Sequence, residues 1–106
     1  MPMIEARLFF GRDIAGRGTV SETEWRLFLD QEVTPRFPAG LSAGDLAGQY
    51  RDTSGAIVRE DSKELRFFLA DTAEDRAKLD AIRDAYKRRF MQESVLRVES
   101  PVCAGF

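Results

Sequence analysis

Apolar residues in this chain recur with two different periods, and the order in which those periods alternate is what most restricts the fold. Ile4, Ala6, Leu8 and Phe10 alternate with Glu5, Arg7 and Phe9, the two-residue repeat of a strand that buries one face. Gly11 to Val20 reads as a loop, since Gly11, Gly16 and Gly18 break regular structure and Asp13 suits a turn. Ser21-Glu22-Thr23-Glu24 is a capping box, in which Ser21 and Glu24 each satisfy the other's backbone amide. Trp25, Phe28, Leu29 and Val33 follow at helical spacing. Pro35 ends that helix, because the residue before a proline is pushed out of the helical region.

The second half repeats the plan. Arg36 to Leu41 forms a rigid turn into a strand from roughly Leu41 to Arg51, in which Gly44 and Gly48 signal a bulge or a close backbone approach. Asp52-Thr53-Ser54-Gly55 is a hairpin turn. The returning strand carries Ile57 and Val58, then Leu65, Phe67, Phe68 and Leu69, with a kink or bulge expected where Asp61-Ser62-Lys63-Glu64 interrupts it. Asp71 or Thr72 caps a second helix whose core stripe is Leu79, Ile82, Tyr86 and Phe90. Ser94 to Glu99 makes the last strand, ending before Pro101.

The order is β-α-β-β-α-β. Its economical solution is an α+β domain spanning residues 1–106, a four-stranded antiparallel sheet with two helices on one face, the ferredoxin-like arrangement. The other sheet face is open, with Phe9 and one of Phe67 and Phe68 on it. An apolar patch of that kind is usually covered by a second copy, so a homodimer through the open face is expected.

Composition removes whole classes of chemistry. The 106 residues include no histidine, which takes away the usual general base and the commonest metal ligand. Cys103 is the only cysteine, so neither an internal disulfide nor a thiolate metal site is available. Its apolar neighbours suggest a buried small hydrophobe. No metal or cofactor is expected. Sixteen basic against 18 acidic residues give a net charge of −2 with no basic stripe, which argues against a nucleic-acid partner. No segment approaches the ~20 apolar residues of a membrane span. Without a signal-like N-terminus the chain is expected in the cytoplasm, or in the envelope if an export leader has been removed.

Three groups of residues offer chemistry. The hairpin carries Gln49, Arg51, Asp52, Arg59, Glu60, Ser62 and Lys63, which reads either as cross-strand ion pairing on a solvated surface or as a pocket where an arginine clamps an anion. The segment from Tyr86 to Ser94 holds Arg89, Gln92 and Ser94; the helix dipole and its open carbonyls account for much of it. Pro2 would present a secondary amine if Met1 were removed. The opening segment is similar to that of tautomerase-superfamily chains, which use such a proline as a general base.

Several segments together resemble a bacterial family of unknown function, the domain of unknown function 3574. They are Leu8-Phe9-Phe10-Gly11, Glu32 to Leu41, Gly48-Gln49-Tyr50-Arg51, Arg59 to Lys63, and Tyr86 to Val95. The most specific pieces are Thr34-Pro35-Arg36-Phe37-Pro38 and Arg89-Phe90-Met91-Gln92-Glu93-Ser94-Val95. Tyr50 stands where that family more often has tryptophan. The resemblance implies that Arg36, Gln49, Arg51, Arg59, Glu60, Ser62, Arg89, Gln92 and Ser94 belong to the motif set, and it brings no assigned activity. The expected function is binding of a small anionic molecule between the hairpin and the end of the second helix. Arg51 or Arg59 would hold the charge, with Gln49, Ser62 and Gln92 setting orientation. The alternatives are proton transfer through Pro2 and a non-catalytic module that docks a partner on Phe9 and Phe68.

Overall fold

Strand β1 (Pro2–Gly11) lies inside the main sheet, and everything else is arranged by which of its faces a residue meets. A computed structural model describes all 106 residues. The elements that follow β1 are β2 (Asp13–Ile14), β3 (Gly18–Thr19), α1 (Glu22–Phe28), β4 (Ser42–Arg51), β5 (Ile57–Leu69), α2 (Ala73–Arg89) and β6 (Leu96–Cys103). Four strands form one sheet in the order β4-β5-β1-β6, with every neighbour antiparallel. This is the ferredoxin-like β-α-β-β-α-β fold. The short strands β2 and β3 pair with each other, so the glycine-bearing loop after β1 holds a small hairpin.

Ala6, Leu8 and Phe10 are fully buried on the helix side of β1. Phe10 packs edge-on to Trp25 of α1 at 5.1 Å and to Tyr86 of α2 at 4.7 Å between ring centres. The Tyr86 hydroxyl donates to the Gly11 carbonyl at 2.6 Å. Burial pushes the Tyr86 pKa up, which keeps the hydroxyl a donor. This bond pins the end of β1 to α2 from within the core.

Both helices are capped as their sequences direct. Ser21 Oγ accepts from the Glu24 amide, and the Glu24 carboxylate accepts from the Ser21 amide, each at 3.1 Å. Thr72 caps α2 by accepting from the Asp75 amide at 3.2 Å. After Phe28 the helix widens into a π turn over Leu29–Val33, closed by the Thr34 amide donating to the Leu29 carbonyl. The spacing of the apolar residues explains it. Val33 is five residues from Phe28, so the wider turn puts Val33 in the core where an α-turn would place Glu32.

Two strand expectations are corrected, for β5 and β6, and of the two readings of the β4 glycines the close approach holds. β5 runs unbroken through Asp61-Ser62-Lys63-Glu64, because that polar run is paired from both sides: Lys63 stands opposite Asp45 and Phe10, Glu64 opposite Gly44 and Phe9. β4 has no bulge; Gly48 instead answers a close approach, since a Cβ there would lie 3.3 Å from the Glu60 carbonyl oxygen. β6 continues through Pro101 to Cys103, which a proline permits on an edge strand. Cys103 is therefore exposed rather than buried, at the end of an edge. No helix is long and apolar enough to cross a membrane.

Removing the Tyr86 hydroxyl leaves the Gly11 carbonyl without that donor. Tyr86→Phe is expected to lower stability by about 1–2 kcal/mol, read from urea unfolding, with the far-ultraviolet circular dichroism unchanged.

Candidate functional site

A cleft of about 440 Å³ opens where β1 ends. Its floor is Phe9 and Gly11, one wall is Glu60 of β5, and the other is the turn from Met91 to Ser94 with Leu96. Asp13 and Ala15 of the small hairpin close the rim. Three carboxylates, Asp13, Glu60 and Glu93, thus border it, and no lysine or arginine lines it.

The turn wall is built by the end of α2. Met91 adopts φ of +52°, the left-handed position that usually falls to glycine after a helix. The Gln92 amide then reaches back to the Lys87 carbonyl at 3.0 Å. The Gln92 side-chain amide donates to the carbonyls of Asp13 at 2.8 Å and Phe90 at 3.1 Å, so it staples the helix end to the small hairpin. Its Oε1 lies 3.3 Å from where a Cβ on Gly11 would stand. Glycine at position 11 is what lets the Gln92 amide lie over the strand end. The Met91 side chain is left exposed at the rim, held by a backbone conformation that costs roughly 1–2 kcal/mol for a residue with a Cβ.

Of the residues singled out in the sequence, Glu60, Gln92 and Ser94 meet at this cleft. Ser62 lies one strand step away, paired with Gly11. Gln49, Arg51 and Arg59 do not join them. Gln49 is paired directly with Arg59, and alternation along β4 and β5 places these three on the opposite face of the hairpin from Glu60 and Ser62. Asp52 turns inward on its own loop, accepting from the Ser54 and Ala56 amides at 2.9 and 3.1 Å. Arg36 donates to the Glu32 carbonyl and carboxylate, both at 2.8 Å, and Arg89 donates to Gln31 at 2.8 Å; both arginines secure the π turn. Pro2 stands exposed at the far end of β1, about 30 Å of extended strand from Gly11.

A second cluster sits on the helix side of the sheet. Lys63 is buried, with its ammonium donating to Glu22 at 2.6 Å and to Asp45, and lying 6.0 Å from the centre of the Trp25 ring. Arg12 comes within 3.4 Å of Glu22. A hollow of about 240 Å³ beside it is lined by Trp25, Arg26 and Leu29. Asp45, Glu22 and Arg12 went unmarked in the sequence, although folding the hairpin about Ser54 already sets Asp45 against Lys63. No group of three or more acidic or cysteine side chains is placed to hold a metal ion.

A family model described as protein of unknown function (DUF3574) matches residues 5–106. The chain belongs to the DUF3574 family. No curated protein sequence matches it. Among solved structures, the DUF3574 chain is similar to a phage SAM lyase in complex with S-methyl-5′-thioadenosine, with a TM-score of 0.65 and 22% identity over 92% of this chain and 80% of that one. It is also similar to CutA from Synechococcus elongatus PCC7942, with a TM-score of 0.56 and 17% identity over 92% of this chain and 75% of that one. At those identities the likeness is one of fold.

The Lys63 cluster makes a pH-dependent clamp between α1, β4 and β5 of this DUF3574 protein. The hydrogen bond from Lys63, and then its charge, hold the Asp45 carboxyl below the usual carboxylate range, against the opposing effect of burial. Burial pulls the Lys63 ammonium down, but the hydrogen bonds to Asp45 and Glu22 outweigh it and the net direction is up. A depressed carboxyl stabilises the fold above its unfolded pKa of about 3.9, and that contribution is lost as the pH falls through the folded value. Asp45→Asn is therefore expected to be less stable than the parent at pH 7, with the gap closing below about pH 4. Urea unfolding at stepped pH reads it; a gap unchanged at pH 3 would refute the clamp.

Proposed function

We propose that this DUF3574 protein binds a small neutral or positively charged molecule in the cleft between the β4–β5 hairpin and the end of α2. The observation that carries the reading is the lining: carboxylates of Asp13, Glu60 and Glu93 over an apolar floor and wall of Phe9, Met91 and Leu96. An anion entering there meets three like charges with no guanidinium to offset them. The anionic ligand expected from the arginines is therefore replaced by its electrostatic opposite, because Arg51 and Arg59 face away. Exposed Met91 in a strained backbone position supports a binding role, since nothing in the turn's own stability calls for a side chain there.

The phage SAM lyase of the same fold suggests a chemical class. S-methyl-5′-thioadenosine has an aromatic base, hydroxyls and a thioether and no negative charge, and S-adenosylmethionine has a sulfonium in place of the thioether together with an ammonium and one carboxylate, a net positive charge. An apolar floor suits the base and thioether, and carboxylates suit the hydroxyls or the cation. Proton transfer through Pro2 would take place outside this cleft.

Phe68, Leu96 and Val98 are exposed on the open sheet face, where the sequence leads one to expect a homodimer. Between them lie Glu5, Arg7, Glu64 and Arg66: Arg7–Glu64 and Arg66–Glu5 pair across β1 and β5 at 2.7 and 3.3 Å, and Arg66 also reaches Glu64 within β5 at 3.3 Å. Covering that band would strip water from four charges. The balance moves self-association away from the centre of this face.

Calorimetric titration of the full chain with S-methyl-5′-thioadenosine and with S-adenosylmethionine tests the cleft. Binding of at least one is expected, weakened about tenfold by Glu60→Ala and unchanged by Arg51→Ala or Arg59→Ala. Met91→Gly is expected to raise stability by about 1 kcal/mol while weakening binding. If the arginine variants abolish binding and Glu60→Ala keeps it, the site lies on the opposite face of the hairpin and the cleft reading fails.

A further inference from the structure

The two edges of the main sheet are built differently. β6 carries Pro101 and the charged pair Arg97 and Glu99, features that discourage another strand from adding to an edge. β4 is less protected, its two charges, Asp45 and Arg51, standing six residues apart. Its ten residues are exposed throughout, contain no proline or lysine, and keep one continuous register with β5 from Ser42 to Arg51. Past Leu46 the hairpin becomes a two-stranded ribbon whose outward residues on the helix side, Ala47, Gln49, Arg59 and Asp61, are exposed. A ribbon of two strands is marginal in water on its own.

We infer that β4 is a self-pairing edge, joining β4 of a second copy antiparallel about a two-fold axis at Gly48. The choice of partner comes from the strand's own sequence. A two-fold perpendicular to the sheet places each residue opposite one of the same face. With the axis at Gly48, Asp45 stands opposite the partner's Arg51, Leu46 opposite the partner's Tyr50, and Ala47 opposite the partner's Gln49. Symmetry repeats each pair, giving two ion pairs and two apolar pairs. Moving the axis one residue either way, to Ala47 or Gln49, removes both matches.

The side chains are free to make these contacts. Asp45 is largely exposed even while it holds Lys63. Arg51 is exposed opposite Ile57, and Leu46 and Tyr50 are among the exposed large apolar residues. Gly48, at the axis, has no side chain to hold the two backbones apart. The pairing turns two marginal ribbons into one four-stranded ribbon within a continuous eight-stranded sheet, and it leaves the open-face charges in water. It does not depend on what the cleft binds.

Sedimentation equilibrium of the full chain tests the register as well as the association. The parent is expected to be a dimer. L46E and Y50K are each expected to weaken the dimer about tenfold or more while keeping the parent circular dichroism. The double variant L46E/Y50K is expected to recover most of that loss, because each new carboxylate then faces the partner's new ammonium. F68K, on the open face, is expected to leave the dimer intact. A monomeric parent overturns the inference, and so does a trimer, which a two-fold edge cannot close. Failure of the double variant to recover, or dissociation by F68K alone, likewise overturns it.

Discussion

The Asp52 carboxylate accepts hydrogen bonds from the Ser54 and Ala56 amides and from the Ser54 hydroxyl, and this closure fixes the register of β4 against β5. Gly55 completes the turn at φ of +88°, a conformation that glycine adopts without steric cost. Once the turn is set, Gln49 meets Arg59, Gly48 meets Glu60 and Asp45 meets Lys63. A slip of one residue in β4 would turn Asp45 to the open face, away from Lys63, while β5 stays registered against β1. The partner of the buried lysine and the pattern along the β4 edge therefore share one determinant, a four-residue polar turn at the far end of the molecule, and the face that Glu60 presents to the cleft is set by β1.

That dependence explains the burial of charge in so small a chain. Lys63 and Glu64 are adjacent in sequence and face opposite sides of the sheet, yet both are buried. Each is held by partners supplied by the register and by neighbouring elements: Lys63 by Asp45 and Glu22, Glu64 by Arg7 at 2.7 Å and Arg66 at 3.3 Å. The hydrogen bond from Arg7 holds the Glu64 carboxyl below its usual range despite burial. Removing one partner from such a group costs more than the pair contributes net, because the remaining charge keeps its desolvation penalty. These charges thus work against alternative registers more than they add to stability.

Local signals in the sequence reach as far as local interactions decide the outcome. The capping box at Ser21, the Thr72 cap, the core stripe of α2 and the turn at Asp52 each involve residues a few positions apart, and each forms where the sequence places it. The order of elements and the ferredoxin-like topology follow from these. Polarity alone signals a break at Asp61–Glu64, whereas the charges there are answered by residues far away in sequence. The apolar neighbours of Cys103 say nothing of an edge strand running past the helices, which leaves the thiol exposed. Among the site residues, Arg51, Arg59 and Glu60 are close in the hairpin, but strand alternation sends Arg59 and Glu60 to opposite faces. Met91 and Glu93 lie within the Tyr86–Ser94 segment that the sequence marks, but nothing local joins them to Asp13, since the cleft exists only where the loop after β1 meets the turn after α2.

The position of the cleft follows from the same geometry. β1 ends at Gly11 while β5 runs on past it, so a strand-wide step is left on the open face. The step is bounded by whatever the neighbouring chain ends supply. Gln92 fills part of it and uses its amide to hold Asp13 in place, which turns an unfilled corner of the sheet into a walled hollow. Tyr86 fastens the same corner from the core side through the Gly11 carbonyl. A cavity formed by fixed backbone and two side-chain staples is largely set before a ligand arrives, so little binding energy is lost in ordering it. The carboxylates of Asp13, Glu60 and Glu93 give the rim a single sign of charge, which disfavours an anion at this corner of the sheet.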